Sequence, residues 1–469
     1  MRGGYAALTL TLVAFVSMVA FEAMSVTVVM TPVSQLLGAP SLYGLAFSLM
    51  FTAQMLGTIL AGPWIRQGGP APALFAGQAL FAAGSLIAGV ATSFGMLLIG
   101  RLLAGLGAGL AVVAEYVVIG SAFPAHLRPK VFGWTSAAWV LPSIVGPLIA
   151  GWLMETISWR AVFLVVVPTT GVTIIAFWWQ RARLPGRPES ARLPEPGPGP
   201  RSGQDGVHRP SPPRDARIVR DGVTLAAAAG AFQWGASHLN PPIPVTAALA
   251  VGGLIGLATT LPRLVPAGTL RMAMGLPSVI LTRFLLLAAF NGALSFVPTL
   301  LIALRGLGVS AAGVVLALTS VGWAVGAALQ GRRRFLGRAS MLARAGAAAV
   351  AAGLMGCTIG AATGLWAWAF VVPVGIVGFG MGLISTSTSV LTLELSPPAE
   401  HATASSALQL SDVLGSAVGI SVTGAIYAAL VPANAPAGPG VYVSMWLLAT
   451  VVALLGWPAA RRTHIPPNP

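Results

Sequence analysis

The chain has 469 residues, 56% of them hydrophobic and only 8% charged, with a mean hydropathy of +0.84 and a formal charge of +15. Soluble globular domains carry about 25% charged residues, so this composition excludes one and indicates a polytopic α-helical membrane protein. The basic excess invites a nucleic-acid reading, but the positions of the charges refute it: they gather in loops on one side of the apolar stretches.

Apolar stretches long enough to cross a hydrocarbon core of about 30 Å are predicted at 6–30, 43–63, 72–92, 96–119, 133–154 and 160–180. Two more follow at 222–238 and 244–261, then six at 277–303, 311–330, 342–362, 366–392, 403–430 and 439–459. The expectation is therefore fourteen spans in the order six, two, six. It divides the chain into an N-terminal six-helix bundle (1–180), a linker (181–220), a two-helix insert with its following loop (221–275), a C-terminal six-helix bundle (276–460) and a tail (461–469). The first run continues well past signal-peptide length without a small-residue cleavage site, so it reads as a retained helix. The alanine- and glycine-rich 222–238 stretch is the weakest span.

With the N-terminus in the cytoplasm, nearly all basic residues fall on the cytoplasmic side, Arg160 and Arg305 being the exceptions among the loops. That asymmetry predicts both termini inside. Residues 181–220 hold nine prolines and nine arginines, a composition that buries no core and predicts a disordered cytoplasmic linker. Its charge is suited to anionic headgroups, although a plain positive-inside linker accounts for it as well. Trp152, Trp159, Trp178, Trp179, Trp366 and Trp368 fall at span ends, as an interfacial belt requires. Cys357, the only cysteine, lies in an apolar span and reads as a buried thiol.

Charges inside spans are expensive and by default functional. Between Gly3 and Ile65 the only charged residue is Glu22. Arg101 and Glu115 lie in the fourth span, fourteen residues apart, and so within about 40° of one helical face. Glu22 stands roughly 24 Å above the start of its helix and Arg101 about 8 Å below the outer start of its own, which puts an ion pair between them within reach. Asp412 lies about three turns into the thirteenth span; coupling and a polar helix–helix bond are both open to it. Arg283, near the cytoplasmic end of its helix, is expected to snorkel. Glu400 and His401 are read as solvated, and Gln54, Trp139, Asn291 and Trp323 as cavity lining or core.

The fourth span reads Gly100-Arg101-Leu102-Leu103-Ala104-Gly105-Leu106-Gly107-Ala108-Gly109, and the fifth holds Gly146-Pro147-Leu148-Ile149-Ala150-Gly151. Small residues at such spacing let helices approach closely, and a proline favours a bend. With these motifs and the six-two-six layout, the chain resembles the major facilitator superfamily, specifically its fourteen-span drug:proton antiporter branch. The resemblance implies packing roles for Gly105, Gly109, Gly146, Pro147 and Gly151. Pro142 and Ala150 stand where that branch usually has glycine. Arg66 stands where the loop after the second span usually has aspartate. Glu22 replaces an aspartate of the first-helix signature.

The resemblance and the membrane carboxylates together imply a proton-coupled exporter of small lipophilic, cationic compounds. Glu22, Glu115 and Asp412 are the proton-coupling candidates and Arg101 a partner. A dedicated exporter of one metabolite, natural product or lipid is the alternative. No cofactor or metal is expected, the proton gradient being the energy source. Neither a phosphate-binding loop nor a nucleophile–base motif is present in the sequence, so an enzyme is not expected. The expected partners are a small-molecule substrate, protons and the bilayer, not nucleic acid, with the chain a monomer in the cell membrane.

Overall fold

The computed structural model describes residues 3–124, 126–181, 214–238, 244–264, 268–330, 337–397, 401–431 and 437–463. Its helices are α1 (Gly3–Leu36), α2 (Tyr43–Gly68), α3 (Pro70–Gly89), α4 (Phe94–Ala122), α5 (Arg128–Thr156), the short α6 (Trp159–Leu164) and α7 (Val166–Trp179). Next come α8 (Arg214–Ser237), α9 (Pro244–Leu264), α10 (Leu276–Leu294), the single turn α11 (Val297–Thr299), α12 (Val309–Gln330), α13 (Ala339–Ala362), α14 (Val371–Glu394), α15 (His401–Leu430) and α16 (Pro439–Arg461). Lipid offers no hydrogen bonds to backbone amides, so each crossing segment satisfies its own as a helix.

Most predicted spans reappear with ends extended by a few residues, because helices run past the hydrocarbon into the headgroup layer, although α3 stops at Gly89 and the 160–180 and 277–303 stretches are each broken once. The turn between α2 and α3 is set by Gly69, at φ +81°, followed by Pro70 at the helix start. Gly275 (φ +86°) plays the same part before α10. Only a residue without Cβ adopts such angles at no steric cost.

Among the described residues, thirteen helices are long and apolar enough to cross a membrane. α8, which holds the seventh predicted span (222–238), is not one of them: Arg217, Arg220 and Asp221 lie in its first turns. Helix α8 begins at Arg214, inside the 181–220 segment read as a linker; the last proline of that segment is Pro213, and from Arg214 onward nothing interrupts the helix. Residues 182–213 lie outside the described residues, as do Arg2, Glu400 and Arg332–Arg334.

Helices α1–α7 pack mainly on one another, as do α10–α16, and the two groups meet along α2 with α15 and along α5 with α12. The α8–α9 pair packs against both α2 and α15. There Met55 and Ile59 of α2, Leu225 and Ala229 of α8, Leu257 of α9 and Leu414 of α15 share one small core.

The larger core runs continuously between the two groups at one end of the molecule only. Tyr43 of α2, Phe296 just before α11 and Tyr427 of α15 pack there as tilted rings, with centroids 5.1 Å apart for Tyr43–Phe296 and 5.2 Å for Phe296–Tyr427. The Tyr43 hydroxyl donates to the Ser295 carbonyl. Thr31 and Thr299 share a hydroxyl hydrogen bond of 3.0 Å. Glu155, at the end of α5, accepts from the backbone N–H (2.9 Å) and hydroxyl (2.6 Å) of Ser310 in the first turn of α12. Nearer the middle, Ser320 donates to the Ser143 carbonyl at 3.0 Å. The loops bearing Arg66, Arg128, Arg263 and Arg338 lie at the opposite end, because successive crossing helices reverse direction. The molecule is thus sealed at the end remote from its basic loops.

Candidate functional site

Two arginines and three carboxylates inside the spans organise the interior. Glu22 of α1 is fully buried and its Oε1 sits 2.6 Å from Nη1 of Arg101, itself 1% exposed. Arg101 also donates from Nε to the Ala46 carbonyl of α2 at 3.3 Å. One α4 side chain therefore ties down α1 and α2 together, and the depth match expected from sequence is realised as contact. The second carboxylate oxygen of Glu22 has no hydrogen-bond partner among the described residues.

The C-terminal helices hold a second pair that the sequence reading missed. Arg283 of α10 does not snorkel. Its Nε and Nη2 engage both oxygens of Asp412 on α15, at 2.6 and 2.7 Å. Its Nη1 donates to the Ser385 carbonyl (2.8 Å) and the Thr388 hydroxyl (3.0 Å) of α14. A planar guanidinium matched to a carboxylate fork is the stronger form of ion pair, and it outcompetes an extended side chain reaching for headgroups. Asp412 takes the helix-bonding role, yet its side chain stays 28% exposed, unlike Glu22.

Glu115 has neither arrangement. It is 1% exposed, and neither carboxylate oxygen has a hydrogen-bond partner among the described residues. This burial keeps it from headgroup water beyond the end of α4. Along α4 the structure thus presents a compensated arginine toward the sealed end and an uncompensated carboxylate toward the basic end.

The expected cavity-lining residues are all half-buried. Asn291 donates to the Ser416 hydroxyl at 2.9 Å, joining α10 to α15 beside Asp412. Trp323 stands edge-on to Phe290, centroids 5.5 Å apart. Trp139 packs on the core of the N-terminal helices. The Gln54 backbone carbonyl accepts from Thr58 at 2.9 Å.

The glycines named by the resemblance sit at helix crossings. A Cβ on Gly105 would strike the Met50 carbonyl, and one on Gly109 the Gln54 carbonyl, so α4 lies directly on α2. Gly146 faces Ser25 and Phe21 of α1. Gly151 and Pro147 instead face the other helix group: a Cβ on Gly151 would lie 2.6 Å from Ser310 Cα, and one on Gly313 2.7 Å from the Pro147 carbonyl. The fifth-helix motif therefore builds the seam at the sealed end, where Glu155 adds its contact to Ser310. Sequence carried one signal for Glu155, a carboxylate between Trp152 and Trp159, and none for its partner. No group of three or more His, Cys, Asp or Glu that could hold a metal occurs among the described residues.

The family model described as Major Facilitator Superfamily matches residues 10–420. The multidrug efflux pump SdrM of Staphylococcus aureus (strain N315) is 30% identical over 172 residues, 37% of this chain and 38% of that protein. The multidrug transporter protein MdtP of Bacillus subtilis (strain 168) is 30% identical over 178 residues, 37% of this chain and 32% of that protein. A transporter from Aspergillus aculeatus, described as the Acurin A biosynthesis cluster MFS-type transporter, is 36% identical over 95 residues, 20% of this chain and 17% of that one. The aligned stretches thus span well under half the length of these relatives. Among solved structures, a D-xylose-proton symporter superposes with a TM-score of 0.65 at 14% identity, covering 98% of this chain and 100% of that one. The transporter PepTSo gives 0.66 at 15% identity, covering 96% of both. With its all-helical fold, its membrane-buried charge pairs and a family match over most of its length, this multi-pass membrane protein belongs to the major facilitator superfamily.

Proposed function

We propose that the chain exports small lipophilic compounds, cations foremost, in exchange for protons, by alternating access between its two helix groups. The observation that carries this reading is the set of membrane-buried carboxylates in unequal states: Glu22 and Asp412 held by arginines, Glu115 held by none among the described residues. An uncompensated carboxylate buried in an apolar interior attracts a proton or a lipophilic cation, and the two compete for it. Glu115 lies about 10 Å from the end of α4 that faces the basic loops, the end opposite the seal. A substrate entering from the cytoplasm meets it before reaching the Glu22–Arg101 pair. Opening the sealed end separates the contacts of α1, α2 and α5 with α10–α12, and protonation of Glu22 releases Arg101 in that state. Each charge crossing 100 mV supplies about 2.3 kcal/mol, enough to drive such a cycle.

The relatives described as multidrug efflux pumps support this reading. The clustering of basic loops at one end supports a plasma-membrane protein with both termini in the cytoplasm. We take it to work as a monomer, with no cofactor beyond the proton gradient. A second reading, export of one dedicated natural product, draws on the likeness to a transporter described with a biosynthesis cluster.

The test is ethidium efflux from energised cells, comparing the native chain with Glu22→Gln and Glu115→Gln, with and without a protonophore. Proton antiport requires efflux that the protonophore stops and that at least one variant abolishes. Native protein that moves no dye under a verified gradient would leave the dedicated exporter as the reading. Undiminished efflux in both variants would remove these carboxylates from the coupling.

A further inference from the structure

The cytoplasm-facing ends of α8 and α9 form a feature that the transport cycle above does not use. Arg217, Arg220 and Asp221 of α8 and Arg263 of α9 line a cleft of about 660 Å³ between the two helices. Arg220 donates twice to Asp221, at 3.2 and 3.1 Å. That carboxylate offsets one guanidinium. Arg217 and Arg263 face the cleft without an acidic partner among the described residues, and both are exposed. The cleft therefore carries unspent positive charge, and a guanidinium can give a phosphate two parallel N–H bonds.

What lies next to the cleft points to the kind of phosphate. On α9, Arg263 is followed at four-residue steps by Thr259, Ile255 and Val251, all exposed. Residues four apart share a helix face, so a guanidinium heads a continuous exposed stripe that becomes apolar as it runs into the membrane. Leu254 extends the same apolar surface. A free anion would use the arginines alone. A lipid would use both, its headgroup in the cleft and an acyl chain along the stripe. Basic pockets between helices on the cytoplasmic side are the physical setting for such recognition.

We propose that this cleft binds the phosphate of an anionic lipid headgroup. Gly222 packs on Ile59 of α2, and Leu225 shares a core with Leu414 of α15. The bound lipid thus holds the α8–α9 pair at the seam between the two helix groups.

Native mass spectrometry of the purified full chain, titrated with phosphatidylglycerol and separately with phosphatidylcholine, tests this. The double variant Arg217→Gln/Arg263→Gln is compared with Arg338→Gln/Arg344→Gln, which removes two arginines elsewhere at the basic end. Both are first checked for a monodisperse elution profile, and the replaced side chains of the cleft are exposed. Two arginines at about 1 kcal/mol each against an anionic lipid correspond to roughly 30-fold weaker phosphatidylglycerol binding in the cleft variant, at 1.4 kcal/mol per tenfold. The control variant is expected to bind within a few-fold of the native chain, and phosphatidylcholine to bind weakly throughout. Unchanged binding in the cleft variant, or an equal loss in the control, would overturn the site. Complete displacement of phosphatidylglycerol by millimolar inorganic phosphate would overturn the lipid assignment in favour of a free anion.

Discussion

Replacing Glu22 by glutamine removes one charge from a pair that is almost wholly desolvated: Nη1 and Oε1 are 2.6 Å apart and neither side chain exceeds 1% exposure. Among the described residues, Arg101 would keep only its bond to the Ala46 carbonyl, at 3.3 Å. Stranding one member of a buried pair costs about 3–5 kcal/mol, whereas replacing both members can be close to neutral. Glu22→Gln and Arg101→Gln should therefore each lower the thermal unfolding midpoint of the detergent-purified protein by several degrees. The double variant should regain most of that loss, with a coupling of about 2–4 kcal/mol in the double-mutant cycle. It should nevertheless remain inactive in efflux if Glu22 carries protons, because stability and coupling are then separate consequences of one pair. Single losses that simply add in the double variant would show that the two side chains do not hold each other, and the interior arrangement described here would fall.

Cys357 is the only cysteine, so Cys357→Ala gives a cysteine-free background. The Thr31 and Thr299 hydroxyls are 3.0 Å apart, which leaves their Cβ atoms within about 6 Å and close to disulfide range. In that background, Thr31→Cys/Thr299→Cys should cross-link on mild oxidation, halt export and recover with reductant; export continuing through a complete cross-link would show that this seal does not open in the cycle. Gly151→Leu should wedge α5 from α12 at Ser310, at an overpacking cost of about 1–3 kcal/mol. Gly171→Leu, which meets open space, should be neutral, and equal melting temperatures for the two variants would contradict the close crossing. Arg283→Gln should abolish efflux by stranding Asp412, and Arg283→Lys should fail to restore it because an ammonium cannot reproduce the fork. Full efflux with lysine would reduce the pair to simple charge balance.

The amino-acid sequence determined the helices themselves. In a bilayer each apolar run must close its own hydrogen bonds, so the runs and their proline and glycine boundaries are legible residue by residue. It also placed Glu22 and Arg101 at matching depths, since depth along a helix follows from rise per residue alone, and it marked Gly105, Gly109, Gly146 and Gly151 as crossing points. The status of α8 was less legible: its alanines are permissive for helix, while its early charges weigh against a span. Partner choice was decided only by the tertiary structure. Arg283 and Asp412 are 129 residues apart, and Glu155 and Ser310 are 155 apart. Nothing in either local pattern records which face of one helix will meet which face of another. That register is fixed by the packing of small residues across seams such as Gly151 on Ser310. The same packing decides which buried charge is compensated, so Arg283 is spent on Asp412 while Glu115, a like carboxylate on a like helix, has no partner among the described residues.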